Sequence, residues 1–170
     1  CTTQTDADHG APFGRLRLVT SPSPGQAPGD DATEVIATSA LATAQSAIDS
    51  RAWPIALRYI DQVLAALPDH PAALTAKGRY FMAHGEPHEA LNAGSYLRLR
   101  APKDRRGYYI TGLAMAALGR PVEALDVLTQ AIALDPDDPD LFDARARVDE
   151  RLGRNGDAAA DRARAAMLRR

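Results

Sequence analysis

Laid over itself at an offset of 34 residues, the chain from Pro71 to Asp138 matches at the residues that punctuate helices. Gly78 falls on Gly112, Gly85 on Gly119, Pro87 on Pro121, Glu89-Ala90-Leu91 on Glu123-Ala124-Leu125, and Pro102 on Pro136. A fixed period of this length marks a supersecondary unit copied along the chain, each copy burying its apolar face against the next. The frame extends backward over 37–70, where Ala44, Ala56 and Pro68 take the Gly78, Ala90 and Pro102 places. It extends forward over 139–170 through Ala146, Gly153, Ala158 and Ala165. Four repeats result, at 37–70, 71–104, 105–138 and 139–170.

Each repeat reads as two helices. Gly85, Gly119 and Gly153 end the first helices, where a left-handed residue is wanted. Pro87 and Pro121 open the second, where a missing N–H costs nothing, and Pro68, Pro102 and Pro136 stop them. The facing pairs Ala44/Ala56, Gly78/Ala90, Gly112/Ala124 and Ala146/Ala158 are small enough for paired helices to approach closely. Asp31 and Glu34 resemble a capping box that starts the helical part, and the last helix is expected from Asp157 to Arg170. Asn92-Ala93-Gly94-Ser95 is weak helix sequence, so a soft second helix and a notch at Gly94 are expected there. The fold expected is all-α: a solenoid of about four helix-turn-helix repeats over 33–170, preceded by an irregular segment over 1–32.

Composition agrees with helices packed at short range. Hydrophobic residues make up 45% and aromatics only 5%, so Ala, Leu and Ile must build the core. A formal net charge of −2 argues against a general nucleic-acid binder, which carries a basic excess. Residues 1–32 are dominated by Thr, Ser, Pro, Gly and Asp. Such a segment is a linker by composition, with a root-mean-square span of roughly 30 Å as flexible coil. Within it Phe13, Leu16 and Leu18 form an apolar island that alternates with Arg15 and Arg17. It suits a short strand added to a partner's sheet, a contact with the repeats, or a plain tether with a few apolar residues.

No catalytic constellation is present. His84 and His88 stand four apart, but Gly85 and Pro87 break any helix between them, so no metal site is expected. Asp135-Pro-Asp-Asp-Pro-Asp140 lacks the Gly and terminal Glu of a calcium loop. It sits where one helix stops and the next starts, which favours capping. Arg98, Arg100, Lys103, Arg105 and Arg106 form a basic cluster suited to a solvated rim, to an acidic partner or to lipid headgroups. Trp53 opens the second helix of the first repeat and is expected to pack there. Neither a cofactor nor a small-molecule substrate is expected, and the chain does not read as an enzyme.

The 34-residue period with this Gly and Pro register resembles the tetratricopeptide repeat. The resemblance covers 37–170 and is most specific in the two middle repeats. The family's usual aromatic position is held by Ala40, Leu74, Tyr108 and Phe142, so only the last two repeats keep it. The resemblance implies a curved stack whose inner face, formed by the first helix of each repeat, binds a protein partner. Carried over position by position, its groove residues are Thr38, Leu41, Gln45 and Ile48; Ala72, Thr75, Arg79 and Met82; Arg106, Tyr109, Leu113 and Ala116; and Asp140, Asp143, Arg147 and Glu150. Those expected to carry the contact are Thr75, Arg79, Met82, Arg106, Tyr109, Leu113, Ala116 and Arg147.

The sequence begins Cys1-Thr2, followed by the polar segment, and in this it resembles a mature bacterial lipoprotein acylated on Cys1. Thr2 after that Cys implies the outer membrane, with the domain facing the periplasm. Small tetratricopeptide lipoproteins of this kind are similar to the pilotins of type IV and tight-adherence pilus systems, which implies a secretin as partner. An adaptor scaffolding peptidoglycan hydrolases or proteases, or an accessory subunit of outer-membrane protein assembly, are the alternatives.

Overall fold

The computed structural model describes residues 30–170, and the side chains from Asp31 onward. Cys1 and the Phe13, Leu16 and Leu18 island therefore lie outside the described residues. Among the described residues there are eight helices and no strand: α1 (Asp30–Asp49), α2 (Trp53–Ala66), α3 (Pro71–His84), α4 (Pro87–Arg100), α5 (Arg105–Ala117), α6 (Pro121–Leu134), α7 (Pro139–Arg151) and α8 (Asn155–Leu168).

Which helices touch decides between a closed bundle and an open stack. Each helix packs on its chain neighbours; beyond that only α1 with α3, α3 with α5 and α5 with α7 meet. No helix reaches one more than two places away, as closure would require. The odd-numbered helices touch one another while the even-numbered ones do not. The odd helices therefore line the inside of the curve and the even ones splay on the outside. This is the expected α-solenoid.

The punctuation falls where the register puts it. Gly85, Gly119 and Gly153 have φ of 87°, 77° and 74°. Arg51, in the same place one repeat earlier, also adopts positive φ, at 59°. Pro87 and Pro121 begin α4 and α6. The first helices of repeats two to four share a cap one residue before they start. There Asp104 accepts from the Arg106 N–H at 2.9 Å and Asp138 from the Asp140 N–H at 2.9 Å. His70 does the same through Nδ1 from the Ala73 N–H at 3.2 Å.

The core is as expected from composition. Its fully buried side chains are Ile60, Leu97, Ile110, Leu128, Leu141 and a matrix of alanines. Trp53 packs edge-on against Tyr80 and His84, with ring centroids 5.9 and 5.2 Å apart.

Several local expectations are corrected. Asp31 lies inside α1 and not at its cap. Glu34 makes no box; its carboxylate accepts from Nε2 of His70 at 3.0 Å, a tertiary partner that also fixes the ring for its capping role. The last helix starts at Asn155, so Gly156 is helical. Gly94 leaves no notch. A Cβ placed there would stand 2.7 Å from Thr111 Oγ1 and 2.8 Å from the Thr111 amide nitrogen, because α5 packs down into the gap. Gly78 also serves another neighbour than Ala90. The three nearest atoms to its would-be Cβ all belong to Ile110 of α5, the closest at 2.5 Å. Gly112 does behave as expected, facing Leu128 and Ala124 of its own repeat.

Candidate partner-binding groove

Because the odd helices line the inside, the register carries three rows of positions there beside the row of Thr38, Ala72, Arg106 and Asp140. One row reads Leu41, Thr75, Tyr109, Asp143; the next Gln45, Arg79, Leu113, Arg147; the third Ile48, Met82, Ala116, Glu150. Two clefts open along these rows. One, of about 350 Å³, is lined by Gln45, Ile48, Asp49, Arg79, Met82, Ala83, Tyr109, Ile110 and Leu113. The other, of about 300 Å³, is lined by Tyr109, Asp140, Asp143, Arg147 and Arg162. Tyr109 is their common wall.

The first cleft has an apolar floor of Ile48, Met82 and Leu113. Leu113 is half-buried, packed at the edge of the cluster of Leu125, Leu128 and Val148, so one side is core and the other faces the cleft. Tyr109 is half-buried as well. Burial pushes its phenol above the ordinary value; Asp140 acts in the same direction, while Arg147 and Arg79 pull it down.

The acidic side chains of the groove are already engaged. Asp49 accepts from Gln45 Nε2 at 2.8 Å. Asp140 and Asp143 both accept from Arg169, reaching back from the end of α8. Glu150 takes Arg162, at 2.7 Å. Arg79 and Arg147 are exposed and form no ion pair with a carboxylate among the described residues.

Of the residues expected to carry the contact, Arg79, Met82, Tyr109, Leu113 and Arg147 line the clefts. Arg106 lines neither. Its guanidinium is clamped on Asp104 by bonds of 2.6 to 3.0 Å, because the cap of its own helix stands within side-chain reach. Thr75 turns its hydroxyl back to donate to the Pro71 carbonyl at 2.8 Å, and the Ala116 carbonyl accepts from Arg151 at 3.1 Å. Arg162 was not expected. It comes from α8, a second helix, and inner-face positions counted only on first helices cannot find it.

The basic cluster is a set of braces. Arg100 bonds Asp69, and Arg105 holds Asp135 and Asp138, each at 2.6 Å. Arg98 lies over the Tyr108 ring at 4.5 Å. The Asp135–Asp140 run supplies the Asp138 cap and a second capping-type contact, from the Asp137 N–H to Asp135 at 3.3 Å. His84 stacks on Tyr80 and bonds Glu86 at 2.6 Å. Among the described residues no three His, Cys, Asp or Glu side chains converge as metal ligands, and no helix is long and apolar enough to cross a membrane.

An open stack of helix pairs with a lined concave face defines a class of docking scaffolds. The tetratricopeptide-repeat profile matches residues 41–95 and 75–139, more than half the chain, and the chain belongs to that family. It is similar to the tetratricopeptide-repeat protein TTC0263 of Thermus thermophilus, at 26% identity over 78% of this chain and 74% of that one, TM-score 0.73. MamA from Desulfovibrio magneticus RS-1 shares the fold at 21% identity over 78% and 75% of the two chains, TM-score 0.62. An O-GlcNAc transferase of Thermobaculum terrenum matches over 69% of this chain but only 22% of its own, at 20% identity and TM-score 0.63. That match covers a small part of the enzyme and shows the fold alone. No curated protein is significantly similar in sequence. The family's repeats act in general as non-catalytic scaffolds for protein partners.

Proposed function

We propose that this chain holds a segment of a partner protein on its concave face, as the assembly factor of an envelope machine. The observation that carries the docking role is the pair of clefts meeting at Tyr109, one floored by Ile48, Met82 and Leu113, and edged by Arg79 and Arg147, which pair with no carboxylate among the described residues. In the particular assignment, Cys1 is acylated and the polar N-terminal segment tethers the scaffold to the outer membrane, facing the periplasm. The partner is a secretin subunit of a pilus or secretion system, of the tight-adherence type. Two or more acyl chains would hold such a tether firmly, whereas one binds only marginally.

The test is purification of the protein from native envelopes in mild detergent, with identification of what accompanies it. A pilotin retains a secretin stoichiometrically, and secretin multimers disappear in its absence. Recovery of several peptidoglycan enzymes and no secretin would replace this assignment with an adaptor. Substituting Arg79 and Tyr109 together should abolish the association while helical content stays intact; a partner that remains bound places the site elsewhere. An unmodified Cys1 in the intact mass of envelope-derived protein would remove the lipid anchor.

A further inference from the structure

We infer that the groove's ligand is a peptide bearing an acidic side chain at Tyr109 and an apolar side chain about three residues away. This rests on the concave-face reading above and deepens it. Most arginines among the described residues are matched to carboxylates, including Arg100, Arg105, Arg106, Arg145, Arg162 and Arg169. Arg79 and Arg147 are not, and they are no random pair. They occupy the same register position two repeats apart, with Leu113 between them. Tyr109 is the common wall of the two clefts, with Arg79 lining one and Arg147 the other, and both pull its phenol down. Two exposed guanidiniums flanking one phenol, each in its own cleft, favour an anion at that point of the groove.

Among the described residues, the carboxylates that line the clefts already have partners. Asp140 and Asp143 face the same cleft, but Arg169 holds both; Asp49, at the far end, is taken by Gln45. A carboxylate on the incoming chain would gain charge-assisted bonds from both arginines and a hydrogen bond from the phenol. Of the apolar floor, Met82 on α3 lies one inner-helix step from this point. Packed helices stand roughly 8–10 Å apart, and an extended peptide rises about 3.3 Å per residue. About three residues therefore separate the anchor from the acid.

The test uses the full chain as bait for a phage library of random dodecapeptides, followed by fluorescence anisotropy on a labelled selected peptide and its acid-to-amide analogue. Selected peptides should share Asp or Glu with Leu, Ile, Met or Phe about three positions away. Changing the acid to its amide should weaken binding roughly 10- to 100-fold. The Arg79→Gln/Arg147→Gln chain should lose the same factor for the acidic peptide and bind the amide peptide within about twofold of wild type. Its circular dichroism should be unchanged, since neither arginine holds an ion pair among the described residues. Peptides that lose binding to Tyr109→Ala yet show no acid preference would sink this inference and leave the groove standing. So would an acid-to-amide loss that persists in the double variant. Selected peptides indifferent to every groove substitution, or no selected peptides at all, would overturn both.

Discussion

Gly78→Ala is the substitution that tests whether the inner helices meet as described. Alanine in place of glycine within a helix is worth about 0.8–1.0 kcal/mol of propensity, so on local grounds the change stabilises α3. The new Cβ, however, would stand 2.5 Å from Cγ2 and 3.2 Å from Cγ1 of Ile110. Ile110 is 1% exposed and has nowhere to move. Overpacking of this kind costs roughly 1–3 kcal/mol, and the clash should win, leaving a net loss of up to about 2 kcal/mol. The next repeat shows the remedy: Ala144 holds the register position of Ile110. Ile110→Ala alone opens a cavity and costs roughly 2–5 kcal/mol. In that background the nearest remaining atom is the residue-110 Cβ, at 3.4 Å, an ordinary contact. Gly78→Ala should then gain about 1 kcal/mol, reversing its sign. Urea unfolding followed at 222 nm on the four chains of the cycle gives both values, and Gly156→Ala, with nothing within 4 Å, serves as the stabilising control. A Gly78→Ala effect of the same sign and size in both backgrounds would show that α3 and α5 do not pack as described, and with them the groove.

Four further outcomes follow from single contacts. Arg51 holds the left-handed place that glycine takes in the other repeats, so Arg51→Gly should raise stability by roughly 1 kcal/mol, read from the urea midpoint. Thr111 is fully buried and its Oγ1 has no hydrogen-bond partner among the described residues, so Thr111→Val should be neutral or stabilising by about 1 kcal/mol, whereas a loss above that would reveal a bond the structure lacks. Asp138→Ala removes the cap of α7 and a partner of Arg105 and should cost about 1–2 kcal/mol. Burial, then the neighbouring Asp157 and Asp161, push the Asp149 carboxyl above its ordinary value. The folded state therefore binds the proton more tightly than the unfolded one, and the benefit, complete below the unfolded value, is lost as pH rises through the folded one. Asp149→Asn should accordingly be more stable than wild type at pH 7, with the gap closing in acid; a gap that stays constant with pH would refute the assignment.

What could be read from the sequence was the punctuation. Left-handed glycines and helix-opening prolines act through their own backbone, so their register alone placed the loops and divided the chain into helix pairs. What could not be read depended on partners far along the chain. Glu34 looks like half of a local box until His70, itself the cap of α3, claims it. Gly94 looks like a weakness until Thr111 and Gly107 of the next helix fill the space above it. Arg106 stands at a groove position by count, yet Asp104 two residues away holds its guanidinium. Charge by position does not say whether a side chain is free; only the pairing does.

That distinction bears on where specificity in such a chain resides. The scaffold positions repeat because each must solve the same packing problem: Ala44, Gly78, Gly112 and Ala146 are all small. The inner row Gln45, Arg79, Leu113, Arg147 obeys no such rule, although it has the same period and the same backbone. Leu113 is half core, but packing cannot explain the arginines on either side of it in the row, which are exposed along the clefts and bond no carboxylate among the described residues. A charged position released from packing and left without an internal counter-charge is free to answer to an external one. Transplanting the row should therefore move binding without moving the fold. Gln at 79 and at 147, copying Gln45, should leave the unfolding midpoint within about 0.5 kcal/mol of wild type and remove the recognition of acid. If the midpoint falls well beyond that, the arginines belong to the scaffold after all, and the groove must be sought on another face.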